Sequence, residues 1–399
     1  MSRLEYLLAG AILRLARFFF SHLRVHRDRV VLATARVPVL DGNLLHIHDA
    51  MRKRHPDLEY VLLLEPYSYG LAGKLAYLVR LVRGMYYLQT ARLFIVDNAY
   101  LPIHIAPHRA ATTVVQVWHA AGALKRFGLD TTTPIAEPER TFLHRFYDAV
   151  VVGGEWTRAP YAAALRTPIE RVIALGSPRT DFFFDESALS SARDRVLAAY
   201  PALTGRRVVL YAPTFRGRGI AKRAAPGVDA ARLRAALPAG DALVLKTHPN
   251  LDPAATPTVG YDVVVDPTAD INDLLALTDI LITDYSSSVV EFALLHRPII
   301  LLVGDLAGYE VDPGLYLDYR TEMIGTQVVD TDGIIAAIAT DRFDLSGYDA
   351  FIARQLGASR GGASARFVSH FLGDGPVPEQ GGGTLPPDVR HIRGPGSLS

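Results

Sequence analysis

Between Asp279 and Leu302 the chain reads strand, sharp polar turn, helix and strand again with no residue to spare, and this run constrains the fold more than any other. Ile280 to Ile282 is a short apolar β-branched run of the kind required by a sheet covered on both faces, and Val289 to Leu295 has the apolar spacing of a helix leaning on that sheet. Pro298 stops the helix and opens the next strand, Ile299 to Val303. The turn holds Thr283, Asp284, Tyr285, Ser286, Ser287 and Ser288. Three successive hydroxyls at a helix N-terminus, beside free backbone N–H groups and the positive dipole end, suit a phosphate group. They suit plain helix capping equally well, and only the rest of the chain separates the two.

The same βα rhythm runs through the whole sequence, and 399 residues suffice for two α/β domains with full cores. The first series places strands at 29–35, 60–64, 92–97, 112–118, 147–152 and 172–175, with helices at 43–54 and 157–165 and a segment rich in aliphatics, Tyr and Arg at 71–88. A second series begins with Arg207 to Tyr211 and continues through 241–245, 263–265 and the Asp279 unit. The reading is two Rossmann-like, doubly wound domains at 28–195 and 196–372. In such sheets ligands gather at the carboxyl ends of the strands. One strand end of the first domain carries Trp118-His119-Ala-Ala-Gly-Ala-Leu-Lys125-Arg126, where small residues let the backbone turn tightly near an imidazole and two cations. A His beside a Trp is, taken alone, more often a core residue. Three strand ends of the second domain carry Arg216, then Lys246 with His248, then the Ser triplet. Cations, an imidazole and hydroxyls converging on one sheet edge are what a diphosphate requires.

The balance of 42 basic against 41 acidic residues removes any global electrostatic case for nucleic acid, and no cysteine means no disulfide or thiol chemistry. No Walker motif, GxGxxG, HExxH or Cys/His metal spacing occurs, so no metal site is expected; a divalent ion such as Mg2+ can assist phosphate chemistry, but no cluster demands one. Residues 1–27 read as a basic amphipathic helix: Arg3, Arg14, Arg17, Ser21 and Arg24 share one sector and Leu and Phe fill the rest. The two Arg residues interrupting the apolar run exclude a bilayer span. Such a helix can lie on an anionic leaflet or pack its apolar side on its own domain. Phe351 to Leu372 reads as one helix, and 373–399, rich in Gly and Pro, as a disordered tail.

Assembled in order, these motifs make the chain resemble the CDP-glycerol glycerophosphotransferase family, the teichoic acid primases and polymerases of bacterial envelopes. Gln116-Val-Trp-His-Ala-Ala-Gly-Ala-Leu-Lys-Arg-Phe-Gly resembles the family's Trp-His-Gly/Ala loop, Gly176-Ser-Pro-Arg-Thr-Asp its Gly-x-Pro-Arg-x-Asp, and Tyr211-Ala-Pro-Thr-Phe-Arg its Tyr-Ala-Pro-Thr-Arg segment. Lys246-Thr-His-Pro and Thr283-Asp-Tyr-Ser-Ser complete the set over residues 28 to 372. The resemblance implies a GT-B-like fold, two such domains facing across a cleft with the nucleotide in the second. It implies transfer of a polyol phosphate, glycerol phosphate as the first expectation, from CDP-glycerol or CDP-ribitol to a hydroxyl of a lipid-linked or glycan acceptor, releasing CMP. His119 is then the candidate base. His248 is the second catalytic candidate, and with Arg216 and Lys246 it would hold the diphosphate. Thr283, Ser286 and Ser287 would bind the donor, and Glu291 either accepts ribose hydroxyls or is plain charge at a helix N-terminus. Lys125, Arg179, Asp181 and Asp284 are further candidates, Asp284 as brace or ligand. The expected location is peripheral, on the cytoplasmic face of the membrane. Ala120 stands where many family members have Gly, and Gly361-Gly-Ala-Ser lacks the acid of a late family motif. Without a large extra amino-terminal domain, a primase or single-transfer enzyme is expected over a long processive polymerase. The rivals are a nucleotide-sugar glycosyltransferase or epimerase on the same fold, which never fixes the donor, and a non-catalytic envelope scaffold.

Overall fold

The computed structural model describes residues 3–65, 70–217, 223–224, 227–247, 258–358 and 360–374. The expected tail at 373–399 therefore lies outside the described residues from 375 onward. The first sheet contains β1 (His26–Thr34), β2 (Glu59–Leu64), β3 (Ala91–Val96), β4 (Thr113–Gln116), β5 (Ala149–Val152) and β6 (Val172–Ala174), all parallel in the order β2-β1-β3-β4-β5-β6. Its continuous apolar strands are explained by cover on both faces. Val31, Ala33, Phe94 and Val96 face the helices Arg3–Phe20 and Gly70–Thr90. Their neighbours Val30, Leu32, Leu93 and Ile95 face the helices Gly42–Arg54 and Ala363–Leu372.

The second domain follows the same plan. Its strands are β7 (Arg207–Tyr211), the short antiparallel pair β8 (Phe215–Arg216) and β9 (Arg223–Ala224), then β10 (Asp241–Lys246), β11 (Val263–Val265), β12 (Ile280–Thr283), β13 (Ile299–Leu302) and β14 (Thr326–Val328). The six-stranded sheet is parallel in the order β11-β10-β7-β12-β13-β14, that of a dinucleotide-binding Rossmann sheet. The strand order reverses between β1 and β3 in the first sheet and between β7 and β12 in the second, which puts a ligand crevice at each carboxyl edge. Both edges carry the loops singled out in the sequence.

Three expectations change. The run from Phe351 to Leu372 is two helices, Tyr348–Leu356 and Ala363–Leu372, broken where Gly361 and Gly362 both take φ near 70°, a region closed to most L-residues. The second of these crosses back to bury Phe367 and Val368 on the first sheet. Conversely, helix Glu186–Ala199 buries Leu189, Ala192 and Val196 with Leu210 and Leu274 of the second domain, and Arg195 holds Asp273 through two bonds of 2.9 and 2.6 Å. The packing boundary thus departs from the division at 195/196, because each domain borrows a helix from the other's stretch of chain. The amino-terminal helix, finally, is part of the first domain. It buries Tyr6, Ala9, Gly10 and Leu13, stacks Tyr6 on Phe142 and spends Arg17 on the carbonyl of Pro107, leaving Leu8, Leu15, Phe18 and Phe19 about 60% exposed. None of the described helices is long and apolar enough to cross a membrane.

Candidate active site

On the first sheet, β4 ends in a turn where Trp118 adopts φ 50° and hands the chain to His119. The His119 Nδ1 lies 3.2 Å from the Asp97 carbonyl at the end of β3, so Nδ1 carries the proton and Nε2 is left as acceptor. Burial lowers the imidazole pKa to about 4, helped by the nearby positive charge of Arg36, Arg179 and Lys125. At neutral pH the ring is uncharged, and as an unliganded group it is a weaker base than an ordinary imidazole. Gly122 shows why small residues follow: at φ 66° a Cβ would come within 2.7 Å of the Gln355 Oε1, which accepts from Ala123 N at 2.8 Å. These small residues seat the loop on a helix of the second domain. Lys125 pairs with Leu315 in an isolated antiparallel bridge, and the Arg126 and Tyr316 amides bond the carbonyls of Gly314 and Leu124 at 2.8 and 2.9 Å, so the same loop stitches the two domains together.

Arg179, in the loop after β6, reaches both ways. Its Nη1 donates to the His119 carbonyl at 2.7 Å, and its Nε meets the Glu291 Oε1 of the second domain at 2.5 Å. Glu291 is buried and Arg179 half-buried. Burial raises the Glu291 pKa, with Arg179 acting against it and the carboxylates of Asp270 and Asp41 adding to it. Asp181 accepts from Ala363 N and Ser364 N, each at 2.8 Å, which makes it the cap of the last helix.

On the second sheet, the Ser turn leaves β12 at the reversal point. Thr283 is fully buried and donates to the Ala212 carbonyl at 2.6 Å, so its hydroxyl ties β12 to β7 and is not offered to a ligand. Asp284 is the brace: it accepts from Thr214 N and Oγ1 at 2.9 Å each and meets Arg216 Nη2 at 2.9 Å. Arg216 also lies 2.7 Å from Asp305 and sits over the rings of Tyr285 and Tyr309, 5.1 and 5.0 Å from their centroids. Expected to hold phosphate, Arg216 here serves two carboxylates. Ser286 Oγ accepts from Ser288 N at 3.2 Å as a local cap. The backbone N–H groups of Ser286 and Ser287 and the Ser287 hydroxyl make no hydrogen bond among the described residues. Lys246 is buried, donates to the Pro267 carbonyl at 2.9 Å and has its pKa lowered by burial to about 8, against the pull of Asp270 and Asp266. His248 lies outside the described residues.

The structure therefore brings His119, Arg179 and Glu291 together and places Ser286, Ser287 and Glu291 on one turn and helix. Sequence reasoning missed Arg36, which bridges Asp41 at 2.9 Å and Asp97 at 3.4 Å, and missed Asn43 and Asp305. Arg36 and Asn43 sit just past β1, so the strand-end logic that singled out His119 could have found them. Among the described residues, the group of His and carboxylates close enough to share a cation is His26, Asp28 and Glu59, at the opposite, amino edge of the first sheet.

The profile of the family described as CDP-Glycerol:Poly(glycerophosphate) glycerophosphotransferase matches residues 15–372. The chain is 33% identical over 366 residues to the teichoic acid ribitol-phosphate primase of Bacillus spizizenii, covering 88% of this chain and 94% of that protein. It is 31% identical over 359 residues to the teichoic acid poly(ribitol-phosphate) polymerase of the same organism, but spans only 57% of that protein's length. The teichoic acid glycerol-phosphate primase of Bacillus subtilis is 28% identical over 298 residues, covering 73% of this chain and 76% of its own. In fold, the chain superposes on the wall teichoic acid polymerase TagF with a TM-score of 0.70 at 18% identity, covering 92% of this chain and 96% of that one. It superposes on UDP-GlcNAc 2-epimerase from Neisseria meningitidis with a TM-score of 0.51 at 13% identity, covering 88% and 100%. At those identities the likeness concerns the fold alone, two Rossmann-like domains in the GT-B arrangement. With the family profile spanning both domains and both candidate loops, the chain belongs to the CDP-glycerol:poly(glycerophosphate) glycerophosphotransferase family.

Proposed function

We propose that this chain moves a polyol phosphate from CDP-ribitol or CDP-glycerol to a hydroxyl of a lipid-linked or glycan acceptor in the synthesis of a teichoic-acid-like polymer. The observation that carries the reading is the pairing of two edges: a neutral imidazole on the first sheet and, joined to it through Arg179 and Glu291, a turn on the second whose N–H groups make no hydrogen bond among the described residues. His119 Nε2 takes the proton of the acceptor hydroxyl as its oxygen bonds to the phosphorus bearing the polyol. The anhydride bond to CMP breaks, and its electron pair leaves with the departing phosphate. The amides of Ser286 and Ser287, the Ser287 hydroxyl and the Lys246 ammonium supply donors and charge for that phosphate, the contribution such transfers need most.

A membrane-surface location is part of the same reading, and the first helix supports it. The exposed Leu4, Leu7, Leu8, Ile12, Leu15, Phe18 and Phe19 of the first helix are continued by Leu75 and Val79 of helix Gly70–Thr90, which Lys74 ties to Glu5 at 2.7 Å. Exposed Arg3 and Arg14 flank them. An apolar face edged with arginine suits the interface of an anionic leaflet. The reading is tested by incubating the protein with labelled CDP-ribitol and CDP-glycerol over a lipid-linked disaccharide acceptor and its extended form. Label entering the lipid fraction from either donor is expected; label remaining wholly in the nucleotide would reject it.

A further inference from the structure

Asn43 is buried, 2% exposed, at the start of helix Gly42–Arg54, and has no place in the mechanism above. A carboxamide can donate two hydrogen bonds and accept two. Asn43 makes all four: Nδ2 donates to the carbonyls of Val117 and Trp118, each at 3.0 Å, and Oδ1 accepts from Ser177 Oγ at 3.2 Å and Arg179 N at 3.0 Å. The partners lie on two different loops. Val117 and Trp118 are the two residues leading into His119, and Ser177 and Arg179 open the loop whose guanidinium binds the His119 carbonyl at 2.7 Å. Trp118 is held at φ 50°, a conformation that costs a bulky residue energy and persists only where its surroundings enforce it. Two of those enforcing bonds come from Asn43. Gln116 supplies another, its Oε1 accepting from Trp118 N at 2.8 Å.

We propose that Asn43 is a positioning residue for the transfer: its carboxamide locks the Trp118-His119 turn to the Ser177–Arg179 loop, so that the imidazole and the Arg179 link to the donor helix adopt one geometry together. The inference rests on the reading of His119 as base. Without Nδ2, two carbonyls beside His119 lose their partner and Trp118 is released toward ordinary backbone angles, which turns the peptide that aims the ring. Stability alone would be served by any group that satisfied the two loops separately; a single side chain joining them fixes their relative placement. Misplacing a reacting group by about 1 Å can cost about 10²-fold in rate.

The test compares Asn43→Ala, the isosteric Asn43→Asp, which keeps the acceptor and loses both donors, and Ser177→Ala, which removes one bond of the four. Expected for both Asn43 variants is a kcat lower by about 10–10²-fold with KM for the CDP-polyol within about 3-fold, because the donor turn lies on the other domain. Ser177→Ala is expected to stay within about 3-fold in both. NMR titration of the His119 ring supplies a readout independent of turnover. In the wild type, where Arg36, Arg179, Lys125 and Asp97 surround it, the ring should not titrate between about pH 5.5 and 8, and in Asn43→Ala it should begin to. If the Asn43 variants only melt earlier, while folded protein keeps wild-type kcat and an unchanged ring titration, Asn43 is structural and the inference is overturned. Should Asn43→Ala fail to fold, Asn43→Asp decides by the same measurements. A wild-type protein that turns over neither CDP-polyol would instead count against the proposed function, and the ring titration would still decide whether Asn43 holds His119.

Discussion

Arg216 shows how far a single residue can be read from sequence. Its position at a strand end marked it as a candidate cation for the donor, and the structure places it in the short strand β8 beside Asp284 and Asp305. What local sequence did not carry is Asp305, which returns from beyond β13 to share the guanidinium with Asp284. Thr283 and Asp181 were legible as motif members, but their partners, Ala212 and the amides of Ala363 and Ser364, are remote in sequence and could not be read from it. Replacing Arg216 with Met leaves two carboxylates without their counter-charge and keeps the aliphatic bulk. Breaking a buried pair costs about 3–5 kcal/mol, and because Asp305 is 33% exposed the lower end is expected, read by denaturant unfolding. An unfolding midpoint equal to wild type would show that Arg216 is free for ligand after all. The buried imidazoles give a pH dependence. Burial lowers His104 to about 3 and His119 and His144 to about 4, whereas in the unfolded chain all three titrate near the ordinary value. The unfolded state therefore binds more protons below that value, and stability present at pH 7.5 is lost as pH falls toward 5. Asp97, Asp270 and Glu291, raised by burial, work in the opposite sense. The histidine contribution is isolated by difference: His144→Gln should show a shallower fall in melting temperature between pH 7.5 and 5 than the wild type, and an identical slope would contradict it.

Among the elements, the parallel strands were the most legible, because a strand covered on both faces must be apolar throughout and Val30 to Ala33, Leu93 to Val96 and Ile280 to Ile282 leave no alternative. The break in the last helix was also written in the sequence, as Gly357 and the Gly361-Gly362 pair, and was passed over in favour of the apolar spacing on either side. The first helix was legible in shape and ambiguous in role, since one helix can turn Tyr6 and Leu13 inward and Leu8, Leu15, Phe18 and Phe19 outward. That division makes removal of the whole helix a poor test, as it opens the core of the first domain: deletion of residues 1–25 should give aggregated or unfolded protein. The outer face can be changed alone. Leu15→Gln, Phe18→Gln and Phe19→Gln together should keep the melting temperature within a few degrees and abolish co-sedimentation with anionic vesicles, whose attraction to the flanking arginines amounts to about 1 kcal/mol per charge. Vesicle binding unaffected by the triple change, or no vesicle binding by the wild type, would contradict a membrane role for this face.

At the scale of the molecule, two α/β domains were readable from the repeated βα rhythm, and the facing of their carboxyl edges followed from the family resemblance. The borrowing of helices was not readable, because helix Glu186–Ala199 and helix Ala363–Leu372 have apolar faces that match either sheet and only tertiary packing chooses between them. The result is a pair of domains joined through Arg179 and Glu291 and through the loop after His119. The central claim is that this junction serves transfer from a CDP-polyol, and CMP release from a panel of donors tests it most directly. With acceptor present, CDP-ribitol or CDP-glycerol should release CMP, and His119→Ala should lower that rate by about 10²–10⁴-fold with donor KM close to wild type. Turnover of a UDP-sugar with neither CDP-polyol used, or a His119→Ala rate equal to wild type, would contradict it.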